Sequence, residues 1–327
     1  MQNKSRCVVV LGTGGTIAGR AGSAHDQVGY QSAQLGVDHL LASVSPDAGL
    51  AVRSEQVAQI DSKDMDAATW RLLARRVAHH LALPDVQGVV ITHGTDTLEE
   101  TAWLLHRVLA PSKPVVLTAA MRPATSLQAD GPQNLADALT VAASESAGGV
   151  VAVVAGKVHG AADVRKVHSY RLDAFSSGDA GPVAGVAQGE VQGWRPWPTG
   201  VPLGLDTLQA DPDLWPWVEI VTSHGGASPR GVRAMVAAGV QGLAVAGTGN
   251  GTVHHALAGA LDEAVAKGVA VRLVTRCAAG SVRRVPGQRW PSYATLGPPQ
   301  ARVELMLELL VAASRDGITP HGNAVVS

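Results

Sequence analysis

Two apolar runs that each end in a glycine turn carrying threonine restrict this chain more than any other feature. Val8-Val9-Val10-Leu11 leads into Gly12-Thr13-Gly14-Gly15-Thr16-Ile17-Ala18-Gly19, and Val89-Val90-Ile91 leads into Thr92-His93-Gly94-Thr95-Asp96-Thr97. Short unbroken runs of branched aliphatic residues belong to strands covered on both faces, as in a parallel sheet between helices. Open α/β sheets collect ligands where strands deliver their carboxyl ends. Two such ends, both bearing hydroxyls and one an aspartate, predict a hydrolytic centre built on threonine. A threonine hydroxyl is weak by itself and needs a neighbouring group to activate it.

The rest of the chain fits that reading. Strand-like runs at Cys7–Leu11, Gly88–Thr92, Pro114–Thr118 and Gly149–Ala155 alternate with helical patterns at Ala67–Leu83, Leu98–Leu109 and Asn134–Ser144. Such alternation implies a mainly parallel sheet with helices on both faces. From Gly189 to Pro216 proline and tryptophan cluster and helical periodicity vanishes. A second series follows, with strands at Val218–Thr222, Gly242–Ala246 and Val269–Thr275 and helices at Arg230–Ala238, Thr252–Lys267 and Pro299–Ser314. The 327 residues are enough for two α/β domains. The larger N-terminal catalytic domain is expected over residues 1–190, a packed linker over 191–213, and a smaller C-terminal parallel α/β domain over 214–327.

Composition removes several function classes. The net charge is −1 with no basic stripe, so nucleic acid is not an expected partner. No apolar stretch approaches the roughly 18–20 residues of a membrane span, and only six residues precede the first strand, too few for a signal peptide. Both cysteines, Cys7 and Cys277, read as buried free thiols, and the cytoplasm is the expected location. The turn at 12–19 is not a phosphate cradle: a dinucleotide fingerprint from Gly12 would need Gly where Ile17 stands. A P-loop ending at Gly19 would need Lys-Ser/Thr where Arg20-Ala21 stand. The 12 histidines include the adjacent pairs His79-His80 and His254-His255 but no zinc-ligand spacing, so no metal is expected. His93 is read as ordering its turn by hydrogen bonding. Thr95-Asp96 alone also suits a cap for the helix that begins near Leu98.

Taken together, these residues resemble the bacterial L-asparaginase/glutaminase family. The two threonine turns carry the resemblance, joined by Asp61-Ser62-Lys63-Asp64-Met65, Ala119-Ala120-Met121-Arg122-Pro123 and Asp130-Gly131-Pro132-Gln133-Asn134-Leu135. Asp163-Val164-Arg165-Lys166, Gly249-Asn250-Gly251 and Thr295-Leu296-Gly297-Pro298-Pro299-Gln300-Ala301-Arg302 complete it. The resemblance implies an enzyme that hydrolyses asparagine to aspartate and ammonia through an acyl-enzyme, without a cofactor. It also implies a homotetramer made of intimate dimers, each site lying between two subunits. Carried over residue by residue, Thr16 is the nucleophile, Tyr30 the lid tyrosine, and Thr95, Asp96 and Lys166 the second catalytic cluster. Gly15, Ser62, Lys63, Ala120 and Asn250, with Thr95 and Asp96, fall at substrate-binding positions. Asn250 would come from the neighbouring subunit.

Chemistry agrees with these roles. Amide hydrolysis needs a nucleophile, a proton shuttle and donors for the developing oxyanion. Thr16 or Thr95 can supply the hydroxyl, and Lys166 beside Asp96 can tune proton transfer if burial lowers its pKa. Backbone N–H groups of Gly15 and Thr95 are the oxyanion candidates, and segment 19–36 has the small-residue composition of a lid.

Two positions depart from the family pattern. The residue after Ser62 is usually Gln in the periplasmic, high-affinity members, where it helps hold the substrate ammonium; here it is Lys63. Those members also present a Glu from the neighbouring small domain, whereas the corresponding loop here reads Ala279-Gly280-Ser281-Val282-Arg283-Arg284-Val285. Both changes bring positive charge toward a site for a cation. The expectation is that Lys63 turns to Asp61 or Asp64 and that asparagine remains the substrate. Glutamine, or an amide lacking a free α-amino group, are the alternatives, and a catalytically silent amino-acid sensor is the alternative of another class.

Overall fold

The computed structural model describes residues 6–26, 29–45 and 49–315, and the chain divides into two compact units between Leu205 and Asp206. In chain order the first unit holds β1 (Arg6–Gly14), α1 (Val37–Leu41), β2 (Leu50–Ile60), α2 (Ala67–Leu81), β3 (Val86–Thr92), α3 (Leu98–Leu109), β4 (Val115–Thr118), α4 (Gly131–Ala143) and β5 (Val150–Val154). Five short strands follow: β6 (Lys157–Gly160), β7 (Arg165–Lys166), β8 (Phe175–Ser176), β9 (Ala184–Ala187) and β10 (Glu190–Gly193).

Eight of these strands form one sheet in the order β2-β1-β3-β4-β5-β6-β9-β10. The first five run parallel and the last three antiparallel. The strand order reverses between β1 and β3, because the chain leaves β1 for β2 on one side and continues from β3 on the other. That is the switch point where doubly wound sheets open a crevice at their strand ends. Thr16 and Thr95 each follow one of the two strands that flank it.

Alternation along each strand decides what covers each face. Val8, Val10, Val90, Val116 and Val151 pack with Leu135, Ala138, Leu139 and Ala142 of α4 and with Val37 and Leu40 of α1. Their neighbours Val9, Leu11, Val89, Ile91, Val115 and Leu117, equally buried, face the opposite way, where α2 and α3 lie. Burying each such side chain contributes roughly 1.5–3 kcal/mol, so a sheet with both faces covered is strongly favoured over an exposed one. Helix α2 begins at Asp66, whose carboxylate accepts the N–H of Thr69 at 2.8 Å, and buries Trp70, Leu73, Ala74 and Val77 along one stripe. Helix α3 carries Glu99 and Glu100 in its first turn and His106 and Arg107 in its last, in the sense that suits the helix dipole.

The second unit contains β11 (Val218–Thr222), α5 (Arg230–Ala237), β12 (Gly242–Gly247), α6 (His255–Ala266), β13 (Ala270–Thr275) and α7 (Pro298–Arg315). Its three strands form a parallel sheet in the order β11-β12-β13. Val232, Leu257, Leu261 and Ala264 from α5 and α6 pack with Leu243, Val245, Val271 and Leu273 on one face, and α7 packs against the same three strands. The expected α/β class, with a larger mainly parallel sheet and a smaller parallel one, is the observed fold.

Strands the sequence did not disclose sit at the margins. Strand β2 is an edge strand whose Arg53, Ser54, Glu55 and Gln56 are polar, so it lacks the apolar run that marks buried strands. Of the two cysteines, Cys7 is buried in β1, but Cys277 is exposed, contrary to expectation. It lies past the end of β13, in the loop where its N–H bonds the Thr275 hydroxyl at 3.1 Å. The tryptophan- and proline-rich stretch starts with β10 paired to β9. It continues with Leu203 and Gly204 donating to the carbonyls of Arg107 and Val108 at the end of α3.

Candidate active site

The end of β1 is bent into the site by two glycines. Gly14 and Gly15 have φ of +106° and +81°, conformations that a Cβ resists. Gly15 has ψ of −172°, a combination open essentially to glycine alone. Its N–H donates to the Ile60 carbonyl at 3.0 Å. A short 3-10 turn, Thr16–Ala18, then points Thr16 forward. The end of β3 is tied to it. Thr13 Oγ1 donates to the Thr92 carbonyl at 2.9 Å, and a Cβ on Gly15 would strike the backbone of His93 and Gly94. Ser62, buried in its own 3-10 turn after β2, lies against Gly94 and accepts the N–H of Asp96 at 3.3 Å. Three loops thus lock one another in register.

Thr16, Tyr30, Thr95, Asp96 and Lys166 line one cavity of about 360 Å³ together with Met121, Ser169 and Tyr170. Thr16 Oγ1 and Tyr30 Oη are 2.7 Å apart. The Lys166 ammonium donates to Thr95 Oγ1 at 2.9 Å and to Asp96 Oδ1 at 2.5 Å. Tyr30 is brought in by segment 19–36, whose neck closes with two backbone bonds between Arg20 and Gln31, both 2.9 Å. Gln27 and Val28 of that segment lie outside the described residues. Lys166 arrives on a two-stranded ribbon, β7 with β8, separate from the main sheet.

Not every expected residue reaches the cavity. The Lys63 ammonium is held by Asp64 at 2.8 Å and Asp61 at 3.3 Å, on an exposed side chain outside the lining. Those two carboxylates raise its pKa, Asp64 the more. Ala120 is buried in the core, and the next residue, Met121, takes the place in the wall. Gly15 spends its N–H on Ile60, so of the two oxyanion candidates Thr95 is the one left. Asn250, in the second unit, faces solvent in the turn after β12. Its side-chain amide pairs with the backbone of Arg283, donating at 2.9 Å and accepting at 2.7 Å, and so holds the loop from 279 to 285. Met121 was not expected in the site, although it lies in segment 119–123, which carries part of the resemblance; Ser169 and Tyr170 were not foreseen, since nothing in their local pattern marks them. Among the described residues no group of three or more His, Cys, Asp or Glu side chains is arranged to hold a metal ion.

A family model described as "Asparaginase, N-terminal" matches residues 7–198, and one described as "Glutaminase/Asparaginase C-terminal domain" matches residues 217–319. The chain belongs to the asparaginase family. The glutaminase-asparaginase of Pseudomonas fluorescens biotype A is 36% identical, over 92% of this chain and 86% of that protein. L-asparaginase 2 of Bacillus subtilis (strain 168) is also 36% identical, over 92% and 81%. The crystal structure of a probable cytoplasmic L-asparaginase from Campylobacter jejuni matches with a TM-score of 0.87 at 36% identity, covering 93% of this chain and 95% of that one.

One histidine of this asparaginase-family member sits directly beneath the site. His93 is fully buried, with Nδ1 2.7 Å from the Gly94 carbonyl and Nε2 3.0 Å from Thr101 Oγ1. A carbonyl only accepts, so the proton is on Nδ1. Nε2 then accepts from Thr101, whose oxygen accepts the Trp70 indole N–H at 2.9 Å. His93 therefore orders its turn, as its sequence suggested. Burial pushes its pKa down to about 4, and also that of His159, which bonds Ser177 Oγ at 2.8 Å. Both are neutral when folded and take up protons from 6.5 downward when unfolded. Stability is therefore expected to fall as pH drops from 6.5 to about 4, by roughly 3 kcal/mol for each histidine. Imidazole NMR signals checks this: a titration of His93 centred near 6.5 would contradict it.

Proposed function

We propose that this chain hydrolyses the side-chain amide of L-asparagine to aspartate and ammonia through an acyl-enzyme on threonine. The observation that carries this reading is a single cavity with two threonine hydroxyls, each bonded to a different proton-bearing partner, Thr16 to Tyr30 and Thr95 to Lys166. In the proposed sequence Thr16 Oγ1 attacks the amide carbon while its proton passes to Tyr30 Oη and the phenol's own proton moves on to the amide nitrogen. The Thr95 N–H faces the developing oxyanion, the C–N bond breaks, and the nitrogen departs as ammonia carrying that proton. Water then attacks the ester carbon, its proton moving through the Thr95–Lys166–Asp96 cluster, and aspartate leaves with the Thr16 hydroxyl restored. Ser62 and Asp96 are assigned the α-carboxylate and α-ammonium. Asn250 is assigned to the site of a neighbouring subunit in a homotetramer, which light scattering on the active protein tests.

The position of Lys63 bears on substrate choice. Because Asp61 and Asp64 hold its ammonium, it does not oppose a substrate cation, which favours an α-amino acid over an N-blocked amide. Relatives described as glutaminase-asparaginase favour glutamine as a second substrate. Ammonia release from asparagine, glutamine and N-acyl amides is the test, and turnover of N-blocked amides alone would overturn the proposal. Lys63→Gln is expected to leave kcat unchanged and to move KM by about threefold or less, since an exposed, screened pair acts weakly on its surroundings. We also propose a cytoplasmic location, as described for the Campylobacter jejuni neighbour, although a Haemophilus influenzae relative is described as periplasmic. Cell fractionation decides between them.

A further inference from the structure

Lys166 is gripped at both ends by the leading segment of α3. Its ammonium meets Asp96 and Thr95, just ahead of the helix, while its backbone N–H donates to Glu99 Oε2 at 3.1 Å. The ribbon that carries it is slight: Arg165 pairs with Ser176 and Lys166 with Phe175, and Val167 donates to the Ala174 carbonyl at 2.8 Å. Ribbon pairing alone fixes β7 against β8 and not against α3. A bond from α3 to the backbone of Lys166 itself supplies that second reference. Glu99 would suit the first turn of a helix for its charge alone, but that charge would be served equally by a side chain in water. Here the carboxylate is largely withdrawn from solvent to reach the ribbon.

We propose that Glu99 is a positioning residue for the catalytic cluster: by holding the Lys166 backbone N–H it sets where the Lys166 ammonium meets Thr95 and Asp96. The proposal rests on the roles given above to Lys166, Thr95 and Asp96. A charge-assisted hydrogen bond is about twice as strong as a neutral one, so the grip depends on the ionisation of Glu99. Burial lifts its carboxyl to about 7; Glu100 on the same helix adds to the rise, while the Lys166 N–H and the charges of Arg165 and Lys166 on the ribbon oppose it. The tighter, ionised form therefore gains population as pH rises through about 7.

The test compares Glu99→Ala, Glu99→Gln and Lys166→Met on the amide that the parent turns over fastest, each as kcat and KM against pH, with circular dichroism as the check on folding. Glu99→Ala is expected to lower kcat about ten- to a hundredfold, the scale of an ångström-sized misplacement, with KM within about threefold. The parent is expected to show a rise in kcat near pH 7; Glu99→Gln, which keeps an acceptor oxygen and the same shape, is expected to recover most of kcat but to lack that rise. A Glu99→Ala enzyme with parental kcat across the pH range, or a Glu99→Gln enzyme that keeps the rise, overturns the proposal. Should Glu99→Ala fail to fold, the Glu99→Gln profile alone decides. If Lys166→Met is fully active, the assignment of the cluster fails and the role of Glu99 within it fails too; an inactive Lys166→Met beside a Glu99→Ala enzyme with parental kcat overturns the role of Glu99 alone.

Discussion

Replacing Thr16 by valine is expected to lower kcat by two or more powers of ten while leaving the melting temperature near that of the parent, and Thr95→Val to do the same. Valine keeps the branched shape of threonine and removes only the hydroxyl. Thr16 and Thr95 are 7% and 5% exposed, so the valine methyls fill the same space without new apolar exposure. Each change deletes one short bond, to Tyr30 Oη or from Lys166 Nζ, whose net worth to folding is on the order of 1 kcal/mol. The effect on rate and the effect on stability therefore differ widely in size. Steady-state kinetics beside thermal melting separates them, and parental turnover in either variant would remove the threonine centre.

Gly15→Ala is expected to cost both properties at once. The backbone at Gly15 lies in a region that L-residues scarcely enter, and a Cβ there would come within 2.8 Å of the His93 carbonyl carbon and closer still to Gly94. Strain and overpacking together are expected to cost roughly 2–4 kcal/mol. Relief would drive the Thr16 turn away from the Thr95 turn, and a shift near 1 Å is enough to remove about two powers of ten in rate. Gly22→Ala is the natural control, because a Cβ at Gly22 meets nothing within 4 Å. Equal melting temperatures and rates for the two variants would show that the turns are not interlocked.

What the sequence disclosed, and what it withheld, follows from where the information resides. Val8 to Leu11, Val89 to Ile91 and β12 were legible because burial on both faces leaves an unbroken apolar run, whereas β11 and β13 were legible from branched aliphatic residues around a single charged one, Glu219 or Arg272. The threonine turns were legible because each follows such a run. Strand β2 was not, since an edge strand pairs on one side only and tolerates Arg53 and Glu55. Missing β2 also concealed that the Ile60 carbonyl takes the N–H of Gly15, so Gly15 read as an oxyanion donor. Glu99 was invisible for another reason: an acid in a first helical turn is ordinary, and only the return of the chain at Lys166 gives it a partner. Ser169 and Tyr170 line the cavity for reasons of tertiary placement that no local pattern encodes, while Met121 lay in a segment that was singled out but whose wall-forming member only the fold reveals.

The separation of the β7–β8 ribbon from the main sheet has a consequence for how such a protein diversifies. Thr16 and Thr95 follow directly on β1 and β3, adjacent strands buried in the core, so their spacing tolerates little drift. Lys166, Ser169 and Tyr170 belong to an appendage whose length and tip can vary without unzipping a buried strand. Inheritance can thus conserve the bond-breaking geometry while lineages experiment with the wall that meets the substrate, and laboratory evolution aimed at new amides would do best to randomise the ribbon tip and leave the two glycine turns alone.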